Sequence, residues 1–129
     1  MRFKDKQAIY KQIAEYAYKQ ILNGKWPDDE RIPSIRDMAV EMEVNPNTMT
    51  RTYMLLQDQK IIYNRRGIGY FTAADASKRA LIQKRQEFIH TVLPDIFKTM
   101  TSLKLSITEF EAFYRAYMDK NKETLYEDE

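Results

Sequence analysis

The chain has 129 residues, no cysteine, one histidine and a formal net charge of +2, and 43% of its residues are hydrophobic. These numbers predict one compact soluble domain with a small additional segment. The lack of cysteine excludes a disulfide framework, a cysteine-ligated metal site and a thiol nucleophile, and no oxidising compartment is required. No apolar run approaches the roughly 20 residues that cross a membrane, and residues 1–5 lack the apolar core of a signal peptide. We therefore expect a cytoplasmic protein without a membrane segment.

The charge is unevenly distributed along the chain. Residues 45–72 contain four basic residues and one acidic residue, a net charge of +3, whereas residues 76–129 contain nine of each sign. A basic segment of this size fits a nucleic-acid partner, but an ordinary solvated surface has the same composition. The secondary-structure elements on which these charges lie distinguish a nucleic-acid interface from an ordinary solvated surface.

Two helices are predicted in the first third of the chain. Apolar residues at every fourth position predict a helix over residues 7–23. Pro33 favours an extended segment before it, which is at most a short strand. Ser34 can then cap a short second helix that ends near Glu43, with the Asp37 side chain reaching back to the cap.

A third helix follows after a tight connection. Asn45 is suited to the N-cap, and Pro46 to the first helical position, where its missing amide costs nothing. Met49, Tyr53 and Leu56 have the i, i+4, i+7 spacing that packs this helix on the other two. The opposite face carries Asn47, Thr48, Thr50 and Arg51.

A hairpin is predicted directly after the third helix. The β-prone residues 61–63 and 70–72 are joined by residues 64–69, whose glycines permit the turn. Arg65 and Arg66 lie at its tip. Three helices and a hairpin, with two helices almost adjacent, are typical of a winged helix-turn-helix, in which the third helix enters the major groove of DNA.

The rest of the chain predicts two amphipathic helices. Asp75 is suited to cap a first helix of about seven turns, in which Pro94 should cause a kink or a break. Ser106 and Glu109 form a capping box that begins the last helix. The final residues 127–129 should be frayed.

These two helices carry more apolar residues than they can bury between themselves. We therefore expect the apolar face to meet a second copy of the chain in a homodimer. The predicted dimerisation residues are Leu81, Phe88, Val92, Ile96, Phe97, Phe110, Phe113 and Tyr117.

Four motifs follow one another in the first 73 residues. They are IYKQI at 9–13, IPSIRDMA at 32–39, VNPNTMTRTY at 44–53 and RRGIGYF at 65–71. In sequence and in order these motifs resemble the GntR family of bacterial transcription regulators. The two-helix tail resembles that of the short YtrA-like subgroup.

The resemblance implies a fold and a function. The fold class is mainly α (α+β), with a winged-helix DNA-binding domain over residues 1–74 and a two-helix dimerisation region over residues 75–129. The implied partners are double-stranded DNA, as a pseudo-palindromic operator, and a second copy of the chain. The implied activity is transcription regulation, with repression by occupancy of the operator, and activation at some promoters is equally compatible with the sequence.

The chemistry of several residues agrees with a DNA interface. Asn47 and Thr48 lie in the first turn of the third helix, where short polar side chains reach base edges or phosphates. Arg51 can fork onto guanine, and Arg36 resembles the family arginine that anchors the DNA. The wing arginines and Gly67 resemble the family residues that reach the minor groove. The candidate DNA-contacting residues are Ser34, Arg36, Asn45, Asn47, Thr48, Thr50, Arg51, Arg65, Arg66 and Gly67.

Structural interpretations of some of these residues remain open. Asn45 can serve only as a helix cap, and Arg36 can pair with Asp37 or Glu41 instead of with DNA. Many relatives have a basic residue where this chain has Thr50. One phosphate or base contact is therefore absent or replaced by a hydroxyl contact, and the operator sequence cannot be transferred from relatives.

Other functions were weighed against DNA binding. The chain has no phosphate-cradling glycine loop, metal-ligand spacing or Ser/His/Asp set, so we expect no enzyme activity and no cofactor. A winged helix that binds another protein is the better alternative. The two functions differ in salt dependence, because binding to DNA weakens steeply as the salt concentration rises and binding through an apolar face hardly changes. We expect the tail to be too small to enclose a metabolite, although His90, Tyr114 and Tyr117 are polar points at which an effector of unknown identity can bind.

Overall fold

The computed structural model describes residues 7–122, which form two compact units divided after Ile82. The first unit contains three helices, a hairpin and the beginning of a fourth helix, and the second contains the remaining helices. The expected fraying of residues 127–129 falls outside the described residues. No helix within residues 7–122 has the length and apolar character needed to cross a bilayer.

The first unit is built around its third helix. Helix α1 spans Ile9–Leu22, α2 spans Ile35–Met42 and α3 spans Pro46–Asp58, and both α1 and α2 pack against α3. The bounds agree with the sequence prediction to within one or two residues. The apolar residues of α3 chosen from their spacing are 0–1% exposed. The largest fully buried side chains of the core are Ile13, Ile21, Met38, Met49, Tyr53, Leu56 and Ile61.

Side-chain caps define the start of α2 and of α3. Ser34 Oγ accepts a hydrogen bond from the Asp37 amide at 3.0 Å, and Asn45 Oδ1 accepts one from the Asn47 amide at 2.8 Å. Both predicted caps are confirmed. The reciprocal bond from the Asp37 carboxylate to the Ser34 amide is not formed, so α2 begins with a simple cap and not with a capping box.

The hairpin consists of β1, Ile62–Arg65, and β2, Gly69–Thr72, paired antiparallel. Ile32 donates its amide to the Tyr70 carbonyl at 2.9 Å, and Arg31 forms an isolated bridge with Phe71. The extended segment before α2 is thus a single bridge along β2, in agreement with the short strand predicted there. This pairing fixes the hairpin beside the start of α2.

Helix α4, Ala76–Glu87, begins inside the core of the first unit. Ala76 and Ala80 are both fully buried, because small side chains let the helix approach the core closely. The Asp75 carboxylate pairs with Arg79 Nε at 2.9 Å. The first compact unit therefore extends beyond residue 74, the predicted end of the winged-helix DNA-binding domain.

The second unit contains a proline that does not interrupt the helix. A π-helical turn, Phe88–Val92, connects α4 to α5, Leu93–Ser102, and Pro94 lies in the first turn of α5. Of the predicted kink or break at Pro94, the break does not occur, while the regular α-helical pattern is interrupted by the π-helical turn just before the proline. The proline has no amide for the His90 carbonyl, and the wider hydrogen-bonding pattern just before it keeps the chain helical. Helix α6, Ile107–Lys120, begins with the predicted capping box of Ser106 and Glu109.

Candidate nucleic-acid interface

The exposed face of α3 is polar along its first two turns. Asn47 and Arg51 are exposed, and Thr48 and Thr50 are half-buried. The Thr50 hydroxyl donates to the Pro46 carbonyl at 3.0 Å, which leaves its oxygen lone pairs as acceptors. Pro46 has no amide and the Asn47 amide is bonded to the Asn45 cap, so the first turn of α3 attracts a phosphate mainly through the positive end of the helix dipole. This face combines amide, hydroxyl and guanidinium groups at the spacing of one or two helical turns.

Arg51 has a defined partner in the structure. Its guanidinium carbon lies 4.2 Å from the centroid of the Tyr10 ring, on the first turn of α1. The Thr52 hydroxyl of the same helix lies 3.1 Å from the Tyr10 carbonyl, and it also lies within reach of the Thr48 carbonyl. Helix α1 therefore supports the Arg51 side chain. The N–H groups of the Arg51 guanidinium remain available to a ligand.

Arg36 is exposed in the first turn of α2. It forms no ion pair with Asp37 or Glu41, nor with any other residue of the described part of the chain. The ion pair considered for Arg36 as an alternative to a DNA contact is therefore not formed. Ser34 and Asn45 do act as caps, so one oxygen of each side chain is already used. The Ser34 hydroxyl proton and the Asn45 amide protons remain as donors.

The turn of the hairpin, the wing, carries the basic residues predicted there. Arg66, Gly67 and Ile68 are exposed, and Gly67 has a φ of +77°. This backbone conformation favours glycine, which agrees with the predicted turn. A Cβ atom on Gly67 would meet no atom within 4 Å, so the space above this turn is open.

The two faces of the wing differ in chemistry. On the outer face, Arg65 lies 4.9 Å above the Phe71 ring, and Phe71 stacks on Tyr63 with the ring centroids 5.7 Å apart. The Tyr63 hydroxyl donates to Asp29 at 2.9 Å, and this hydrogen bond raises the pKa of Tyr63. The outer face is therefore an ordered row of aromatic and cationic groups.

The inner face of the wing is attached to α3. Tyr70 meets Tyr53 edge to face, with ring centroids 4.9 Å apart, and the Tyr53 hydroxyl donates to the Pro33 carbonyl at 2.6 Å. Burial raises the pKa of Tyr53. Thr72 is fully buried, accepts from the Glu30 amide at 2.9 Å and donates to the Pro27 carbonyl at 2.5 Å. These bonds fix the position of the wing relative to the exposed face of α3.

Sequence reasoning missed two residues of this surface. Tyr10 belongs to the first motif, and Arg31 precedes the second, but no role was assigned to either side chain. Arg31 crosses the wing above Gly69, where its Nε atom would lie 3.0 Å from a Cβ atom. Tyr10 and Arg31 lie 41 and 34 residues from Arg51 and Arg65 in the sequence. No local periodicity connects positions this far apart, so only the order of the motifs could have drawn attention to them.

The second unit exposes its apolar residues. Neither α5 nor α6 has a buried residue, and Ile96 is half-buried. An open groove of about 450 Å³ is lined by Val92, Ile96, Met100 and Phe110, with Asp95 among its few polar residues. Leu81, the predicted dimerisation residue that lies in the first unit, is 52% exposed. The other predicted dimerisation residues of the second unit are exposed to between 36% and 65%: Phe88, Val92, Phe97, Phe110, Phe113 and Tyr117.

Known proteins resemble this chain over most of its length. The HTH-type transcriptional regulator YhcF of Bacillus subtilis is 32% identical over 108 residues, which are 84% of this chain and 88% of YhcF. The HTH-type transcriptional repressor YtrA of the same organism is 30% identical over 88 residues, covering 68% of this chain and 67% of YtrA. A solved structure of a GntR-family regulator from Bacteroides thetaiotaomicron is 37% identical with a TM-score of 0.78, covering 88% of this chain and 99% of that protein. No protein-family model matches the chain.

The winged helix-turn-helix and the exposed polar face of α3 define a DNA-binding transcription regulator. The chain belongs to the GntR family, and its relatives include the YtrA-like members of that family. The family and the fold class expected from the sequence are thus confirmed. The members of the family are transcription regulators.

Proposed function

We propose that the protein is a repressor that binds an inverted-repeat operator as a homodimer. The observation that carries the proposal is the exposed polar face of α3. The basic wing is held next to this helix by the contact of Tyr70 with the buried Tyr53. Such a unit reads the major groove with the helix and reaches the neighbouring minor groove with the wing. Since its proposed partner is operator DNA, we propose that the protein acts in the cytoplasm.

Each part of the surface has its own proposed role. Asn47, Thr48 and Arg51 read base edges, because they occupy the exposed first two turns of α3. Arg36 and Ser34 bind phosphates at the start of α2, where no acidic side chain pairs with the arginine. The other proposed contacts are those of Asn45 and Thr50 beside α3 and of Arg65, Arg66 and Gly67 in the wing.

The homodimer rests on the apolar surface of the second unit. Phe97, Phe113 and Tyr117 are each more than half exposed in the single chain, and exposed aromatic residues in this number are costly in water. In a dimer with a two-fold axis the same face of each copy meets the other, so the proposed interface has to be self-complementary. We propose residues 75–129 as the dimerisation region and residues 1–74 as the DNA-binding domain.

Repression would follow from occupancy of a promoter. A dimer that lies on its operator blocks polymerase, and a signal that changes the spacing of the two recognition helices would release it. The groove of about 450 Å³ has the volume of a small-molecule site, but it is open to solvent in the single chain. A second copy that covers it would be needed to enclose an effector.

Selection of bound fragments from a random DNA pool tests the proposal. The enriched sequence is then titrated with the protein at several salt concentrations. We expect an inverted repeat whose affinity falls steeply with salt, because each phosphate contact releases counterions. A winged helix that binds only another protein would enrich no sequence, and its binding through an apolar face would hardly respond to salt.

Two variants test the assignment of the residues. Replacing Arg66 by alanine should weaken binding to most sequences, since a phosphate or minor-groove contact carries little base information. Asn47→Ala should mainly change the preferred base at one position of each half-site. Binding of both variants like the wild type would show that the assignment is wrong.

A further inference from the structure

The outer face of the wing carries a guanidinium group that comes from outside the hairpin. Arg31 precedes α2 and bridges to Phe71 on β2. Its Nε, Nη2 and Cζ atoms would lie 3.0, 3.2 and 3.4 Å from a Cβ atom on Gly69. The side chain therefore occupies the space in which any residue other than glycine would place its own side chain.

The register shows which face Arg31 covers. Gly69 is the cross-strand partner of Arg65, and Tyr63 is the partner of Phe71. Side chains of opposite residues in an antiparallel pair lie on the same face of the sheet, and alternate residues share that face. Arg31 and Arg65 thus lie on the same outer face, on which Arg65 is stacked on Phe71.

The charges of this face are not balanced within the protein. Neither Arg31 nor Arg65 forms an ion pair with any residue of the described part of the chain. Asp29 is the carboxylate bound to this row, and it accepts its hydrogen bond from the Tyr63 hydroxyl. Two guanidinium groups on one face of the wing create a positive potential there, which favours the binding of an anion.

We propose that Arg31 is a further DNA-backbone contact, which binds a phosphate beside the one bound by Arg65. The inference rests on the proposed function, since the anion is a phosphate of the operator. Gly69 has a positioning role in it, because the absence of a Cβ atom lets the Arg31 guanidinium lie flat across the wing. Its φ of +148° also disfavours other residues.

The experiment compares salt titrations of five proteins, the wild type and four variants, on the selected operator and on unrelated duplex DNA. The variants are Arg31→Ala, Gly69→Ala and the double variant, and Arg79→Ala removes the same charge from a residue that pairs with Asp75. For Arg31→Ala we expect at least about tenfold weaker binding to both DNAs and a salt slope less steep by about 1.8, the loss of one phosphate contact in each of the two subunits. The Arg79→Ala control should bind like the wild type.

Gly69→Ala should also weaken binding, and the double variant should be no weaker than Gly69→Ala alone, because the alanine has already displaced Arg31 from its position on the wing. An additive loss would overturn the positioning role of Gly69. If Arg31→Ala leaves the salt slope unchanged while the wild type binds its operator steeply, the phosphate contact is overturned and the proposed function stands. If the wild type itself binds no DNA in the same titration, the proposed function fails, and the inference fails with it.

Discussion

The guanidinium group of Arg51 lies over the ring of Tyr10, with its carbon 4.2 Å from the ring centroid. The contact joins the exposed face of α3 to the first turn of α1. Stacking leaves the edge of the guanidinium free, so the same group can fork onto a base while the ring holds its plane. A side chain ordered in this way loses less entropy when it binds.

The first prediction concerns this pair. Arg51→Ala should weaken binding to the selected operator about tenfold or more and relax the preference at one base pair, since a good arginine–base contact is worth about 1–3 kcal/mol. Tyr10→Phe keeps the aromatic face and should bind like the wild type, whereas Tyr10→Leu should lose part of the affinity. Mobility shifts on the operator and on single-base variants measure both effects. Equal binding by the Leu and Phe variants would contradict a role of the ring.

The second prediction separates a cap from a contact. Asn45 caps α3, so Asn45→Ala should lower the free energy of unfolding by about 1 kcal/mol. Asn47 is exposed and contributes only its backbone amide to the cap, so Asn47→Ala should leave stability nearly unchanged. Urea unfolding of the two variants measures the difference. A similar loss in both would mean that the Asn47 side chain also stabilises the helix.

The third prediction concerns alkaline pH. Burial raises the pKa of Tyr53 in the folded protein above its ordinary value of 10.0. The unfolded chain therefore loses this proton first, so the stabilisation is fully present below pH 10 and decreases as the pH rises further, by up to about 1.4 kcal/mol per pH unit. Urea unfolding between pH 8 and 11 should show the decrease.

The matching variant removes the phenol. Tyr53→Phe should flatten the decrease above pH 10 and should be less stable at pH 8, because the Pro33 carbonyl loses its donor. Tyr114 is 57% exposed, so Tyr114→Phe should keep the wild-type pH dependence. Identical slopes in Tyr53→Phe and the wild type would assign the alkaline loss to other groups.

The fourth prediction concerns the dimer. Phe113 is 65% exposed in the single chain, and Phe113→Asp should raise the dimer dissociation constant at least about tenfold, because a carboxylate buried in an apolar interface is costly. Arg115 lies on the same helix in an exposed ion pair with Glu111, so Arg115→Ala should leave association unchanged. Sedimentation velocity measures both. A wild-type monomer at micromolar concentration would refute the homodimer.

The sequence alone was sufficient for the elements and the family. The spacing of Met49, Tyr53 and Leu56 predicted the buried face of α3, and Ser34 and Asn45 predicted two caps that are present. These features depend on residues at most seven positions apart, for which helical geometry fixes the contacts. The motifs resembled the family to which the chain belongs.

Local rules did not decide between structures that were both possible for the same residues. Pro94 predicted a kink or a break, and the structure instead places a π-helical turn before it, which interrupts the α-helical pattern but keeps the chain helical. Asp37 could return a hydrogen bond to the cap of α2 and does not. In each case several local arrangements differ little in free energy, and the surrounding chain selects one.

Only the tertiary structure decided which distant side chains meet. Arg51 stacks on Tyr10, and Arg31 crosses Gly69 on the wing, because α1 packs on α3 and the segment before α2 pairs with β2. The sequence determined the helices, the hairpin and the family, since these follow from patterns within one element. The arrangement of the arginines arises from packing between elements, which no spacing along the chain expresses.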